Sequence, residues 1–105
     1  MIGHAGWLSS GHEAAAGEDF RQFLQALQDR GYGDTAADYL ALIRSRDDLP
    51  DDLREVIDLE MATSLRIAAA NTPNADEAAR DLGAAQQFLD KFVREHPDHP
   101  ESGMA

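Results

Sequence analysis

Residues 36–43 read AADYLALI, and residues 85–92 read AQQFLDKF. Superimposed, the two octets share a small residue at the first place (Ala36, Ala85) and an aromatic at the fourth (Tyr39, Phe88). Leucine stands at the fifth (Leu40, Leu89) and a large apolar residue at the eighth (Ile43, Phe92). Places one, four, five and eight lie on a single face of an α-helix. Each octet is followed by a turn with proline, Pro50 in one case and Pro97 in the other. One helical face, written twice, sets the frame for the rest of the chain.

Upstream of the first octet, Phe20, Phe23, Leu24 and Leu27 repeat the same helical spacing. Glu18 and Asp19 stand at the start of that helix and Arg30 at its end, as the helix dipole favours. Gly31-Tyr32-Gly33 then breaks it. The second helix is expected from about Asp34, a candidate N-cap, to Arg46. Between the octets, Leu53, Val56, Ile57, Met61, Leu65 and Ala68 predict one long helix from about Asp51 to Ala70. Asn71-Thr72-Pro73-Asn74 ends it. Asn74 is placed to cap a fourth helix, with Glu77 three residues on. That helix carries Ala78, Leu82, Ala85, Leu89, Phe92 and Val93, and runs to about Glu95.

No stretch alternates with period two, so the expected class is all-α. The short links favour antiparallel neighbours: two helical hairpins, four helices, stacked side by side. Gly83, inside the last helix, costs about 1 kcal/mol relative to alanine, and a close helix crossing is the expected reason for it. The domain is expected over residues 18–100. Residues 1–17, rich in Gly, Ser and Ala, read as a flexible tail in which Trp7 and Leu8 are the one hydrophobic anchor, and residues 101–105 as a short C-terminal tail.

The first and third helices echo one another as well, Phe23-Leu24-x-x-Leu27 against Met61-Ala62-x-x-Leu65. A recurring two-helix unit is the mark of an α-solenoid. The chain resembles the tetratricopeptide-repeat family over roughly residues 18–100. Phe20, Phe23, Leu24 and Leu27 match the first helix of a repeat, Gly31 and Tyr32 its turn, and Ala36, Leu40 and Ile43 its second helix. In the second unit the matches are Met61, Ala62 and Leu65, then Ala85, Leu89, Phe92 and Pro97. Leu24 stands where that family has a small residue. Ala36 and Ala85 are 49 positions apart, against about 34 for the standard repeat. The resemblance implies a short α-solenoid of about two repeats that binds protein partners and carries no cofactor.

Composition narrows the function. The chain has 105 residues, no cysteine and a formal net charge of -11. Disulfides, zinc-thiolate sites and thiol nucleophiles are therefore excluded. Binding to nucleic acid draws on clustered Lys and Arg, whereas here 20 acidic side chains face 9 basic ones, and Lys91 is the only lysine. No apolar run approaches the roughly 20 residues a bilayer span requires. The first residues lack the basic segment and apolar core of a secretory signal, which points to the cytoplasm.

Chemistry has few footholds. His96, Asp98 and His99, with Glu95 and Glu101, form a cluster of metal-ligand types in the segment EHPDHPE. Zinc needs three or four ligands in fixed geometry, whereas histidine and proline past a helix end are an ordinary stop signal. His4 and His12 lie in the expected tail. Asp47, Asp48, Asp51 and Asp52 lack the spacing of a calcium loop, and Asp51 and Asp52 suit a helix start. No serine sits in a nucleophile elbow and no glycine-rich phosphate loop is present. Tyr32, Tyr39, Phe88 and Phe92 read as core or inter-helix contacts.

The expectation is a non-catalytic protein-interaction module. Arg21, Arg44, Arg54 and Arg66 are the candidates for pairing with a partner's carboxylates, and Phe88 and Phe92 for apolar contact. The negative surface favours basic partners instead. The alternative is a small metal-binding or enzymatic bundle built on His96, His99 and nearby acids. The last helix is apolar over a broad arc, so a two-fold homodimer through it is also expected.

Overall fold

The computed structural model describes residues 12–100, with side-chain environments from residue 19 onward. Expectations for Trp7, Leu8, His4 and residues 101–105 fall outside the described residues. Among those described, all regular structure is helical: α1 (His12–Asp29), α2 (Gly33–Ile43), α3 (Asp51–Glu55), α4 (Ile57–Asn71) and α5 (Ala75–Glu95). α1 packs on α2, α2 on α4 and α4 on α5, while the short α3 touches α4. The chain is elongated, with extents of 53 × 34 × 20 Å.

α4 is the central element because two opposite neighbours need it. Ile57, Asp58, Met61, Ala62, Ser64 and Ala68 are buried along it. They join Leu24, Ala36, Ala37, Leu40, Ile43, Leu49, Leu53, Ala85 and Phe92 as the buried interior. Both octets deliver the expected faces: Ala36, Leu40, Ile43, Ala85 and Phe92 are all buried, with Tyr39, Phe88 and Leu89 half-buried.

The ends of the helices follow local chemistry. Gly31, at φ 79°, closes α1. The Tyr32 N–H donates to the Leu27 carbonyl at 2.9 Å and the Gly31 N–H to the Gln28 carbonyl at 3.0 Å. This is the paired closure that favours glycine in the left-handed region. Asn71 Nδ2 donates to the Gly31 carbonyl at 3.2 Å, tying that turn to the end of α4. Asn74 caps α5, its side chain accepting from the Glu77 N–H at 3.0 Å. The Asn74 N–H goes to Thr72 Oγ1 at 3.2 Å.

Several expectations are corrected. α1 starts at His12 rather than near Glu18. α2 starts at Gly33, so Asp34 sits inside the first turn, where it accepts from the Thr35 N–H. The single long helix expected over 51–70 is two. Val56, at φ -104° and ψ 12°, bends the chain between α3 and α4, where the β-branched pair Val56–Ile57 lowers helix propensity. Most tellingly, Gly83 is exposed, and a Cβ there would meet nothing within 4 Å. The close crossing is at Gly33, whose Cβ would collide with the Ser64 carbonyl oxygen and the Ala68 amide nitrogen of α4.

Candidate functional site

Thr63, Arg66, Ile67 and Ala70 fall at i, i+3, i+4 and i+7 on α4, the face turned away from the buried stripe. With Ala69 and with Leu82 of α5 they line an open groove of about 580 Å³. Its surface is mainly methyl and methylene: Ile67 is half-buried, while Leu82 is 51% exposed, large for a leucine beside another helix. Thr63 spends its hydroxyl within α4, donating to the Leu59 carbonyl at 3.1 Å. Arg66 is the only charged residue among those lining the groove. It is exposed, and no ion pair or hydrogen bond engages its guanidinium among the described residues.

The other arginine candidates are used within the fold. Arg21 pairs with Asp52, linking α1 to α3. The hydrogen bond from Arg21 holds the Asp52 carboxyl below the ordinary aspartate value of 3.8. Arg44 Nη2 lies 3.2 Å from Asp58 Oδ1, and Lys91 Nζ lies 3.1 Å from Asp58 Oδ2. Asp58 is buried in the first turn of α4, where the helix dipole also favours its charge. Arg54 donates to the carbonyls of Arg44, Arg46 and Leu49, closing the α2–α3 loop.

The aromatic candidates do not come together either. Phe92 is fully buried, so a partner cannot reach it. Phe88 is half-buried against the core cluster. Tyr39 packs edge-on to Phe23, ring centroids 4.7 Å apart, and burial raises the Tyr39 pKa above its ordinary 10.0. Tyr32 is exposed.

The histidines serve the end of α5. The His96 N–H donates to the Phe92 carbonyl at 2.8 Å and the His99 N–H to the His96 carbonyl at 3.1 Å. Their rings lie 5.0 and 5.1 Å from the Phe92 ring, which they cover at the end of the helix. His99 Nε2 stands 3.5 Å from Glu55 Oε1 of α3. Among the described residues no three His, Asp or Glu side chains are grouped to hold a metal ion. In the turn after α2, Asp48 takes both guanidinium contacts from Arg46 at 2.8 Å. No described helix is long and apolar enough to cross a membrane.

The groove escaped the sequence reading as a unit. Thr63, Ile67 and Ala70 sit on the far side of α4 from its buried stripe, and Leu82 belongs to the broad apolar arc of the last helix. Arg66 was the only one of them singled out for binding. Set against models of protein families, curated proteins and solved structures, the chain matches none.

Proposed function

We propose that this chain is a non-catalytic protein-interaction module that docks a segment of a partner protein on the outer face of α4. The observation that carries the reading is the groove itself: an open, largely apolar cleft of about 580 Å³ whose lining includes the Arg66 guanidinium, which no described residue engages. Among the described residues, Arg21, Arg44, Asp58 and Lys91 are used in inter-helix pairs, and Arg54 in the α2–α3 loop.

We further propose that the helices form a short tetratricopeptide-like solenoid. Successive pairing of α1 on α2, α2 on α4 and α4 on α5 supports it. So does the burial of the small residues that such a repeat places at its crossings, Ala36, Ala62 and Ala85. A homodimer through α5 is a second proposal, which the net charge of -11 opposes.

A photo-crosslinking side chain placed at Thr63 tests the docking reading, with exposed Ala41 of α2 as the control position. In cells of the source organism, discrete protein adducts are expected from position 63 and not from 41. Adducts from neither, or equally from both, would end the proposal.

A further inference from the structure

We infer that the occupant of the α4 groove is an amphipathic helix whose apolar face carries one carboxylate at its edge and whose outer flank is basic. This rests on the reading of that groove as a docking site, and names the chemistry it selects.

Shape sets the first requirement. The lining from Thr63 to Ala70 covers about two turns of α4, roughly 10 Å at 1.5 Å per residue. Thr63, Ala69 and Ala70 contribute small side chains to the lining, and Ile67 and Leu82 larger ones. A rod of helix can approach such a lining closely and lay residues at i, i+3 and i+4 against it. Its own backbone hydrogen bonds stay internal, so the groove need offer none. Thr63 keeps its hydroxyl within α4, on the Leu59 carbonyl.

Charge sets the second. Arg66 is the single charged lining residue and has no described counter-ion. An apolar partner that covered it would strip part of its water with nothing in return. A carboxylate at the edge of the partner's apolar face removes that cost through a charge-assisted, bidentate pair. One carboxylate is also the limit. The chain as a whole carries -11, so a run of acids is repelled on approach, while a basic outer flank is drawn in. The same two facts disfavour a second copy of this chain, which would bring eleven more negative charges.

The test uses the intact chain. A library of displayed helices of about 14 residues, with fixed leucines at i, i+3, i+4 and i+7 and randomised flanks, is selected against it. Enrichment of a single Asp or Glu beside the leucine face, with Lys or Arg outside, is the expected result. For a selected peptide, Arg66→Glu lowers affinity about tenfold or more, and exchanging the peptide's acid for lysine restores binding to that variant. Arg66 is exposed, so the variant folds; Leu82→Ser, also at an exposed site, provides a second loss. Selection of basic residues at the edge, or binding indifferent to both substitutions, overturns the inference while leaving a docking module with another surface. No enrichment overturns the inference, while adducts from position 63 decide the docking reading separately. A concentration-dependent dimer abolished by Leu82→Ser assigns the groove to self-association and overturns it as well.

Discussion

Lys91 Nζ lies 3.1 Å from Asp58 Oδ2, and the other oxygen of that buried carboxylate is 3.2 Å from Arg44 Nη2. The only lysine of the chain thus joins α5 to the first turn of α4 and, through Asp58, to the end of α2. Lys91→Met leaves Asp58 with Arg44 and with some access to water, because the lysine side chain is 40% exposed. A loss of about 1 kcal/mol is expected. Asp58→Ala strands both cations and empties a buried position, for about 2–3 kcal/mol. The double variant should cost less than the sum of the two. Urea denaturation of the four proteins measures it, and strict additivity would show that the pair contributes nothing.

Gly33 and Gly83, both helical, differ in kind. At Gly33 an added Cβ collides with the backbone of α4 at Ser64 and Ala68, which cannot swing aside. Gly33→Ala must push α2 away from α4 and is expected to cost about 3 kcal/mol, at the upper end for overpacking. At Gly83 the same change meets open space, and is expected to stabilise α5 by about 1 kcal/mol. Thermal unfolding of both variants should shift in opposite directions. Shifts of the same sign would contradict the crossing.

These two residues also show how far the sequence could be read. The helical faces were legible because they obey spacing, and Leu40 and Phe92 are buried where spacing put them. The stop at Gly31 and the cap at Asn74 were legible because they depend on a few neighbouring residues. Which glycine marks a crossing was not, since that depends on which helix lies opposite. Burial of Leu49 in a loop of charged residues was missed for the same reason, as was burial of Asp58, whose partners lie 14 residues before it and 33 after it. Half-exposed Phe23 fell short of its predicted burial, meeting Tyr39 edge-on at the surface between α1 and α2.

The ion pair between Arg21 and Asp52 has a sign that titration can check. A hydrogen bond from Arg21 is the main cause lowering the Asp52 pKa, with the guanidinium charge and the Leu53 and Asp52 amides adding to it. Its contribution to stability is therefore in full force above the ordinary aspartate value, 3.8, and is lost as pH falls through the lower folded value. Both side chains are largely exposed, so the energetic effect is small and the spectroscopic one is the readout. Carboxyl-carbon NMR should show the Asp52 midpoint rising in Arg21→Ala. An unmoved midpoint would break the proposed cause.

Arg54 makes the most specific of the loop contacts, and its replacement by lysine separates charge from geometry. Nη2 donates to the Arg46 carbonyl at 3.0 Å and to the Leu49 carbonyl at 3.2 Å, and Nη1 reaches the Arg44 carbonyl at 3.4 Å. These carbonyls lie past the end of α2 and in the turn that buries Leu49. A planar fork can satisfy them together, whereas an ammonium concentrates its donors on one nitrogen and cannot span the same set. Arg54→Lys is therefore expected to lose about 1–2 kcal/mol despite its unchanged charge, and Arg54→Ala little more. Amide exchange should quicken at residues 46–49 and Leu53, with protection in α5 unchanged. Full retention of stability and loop protection in Arg54→Lys would mean that a positive charge suffices, and would return Arg54 to the set of residues available to a partner.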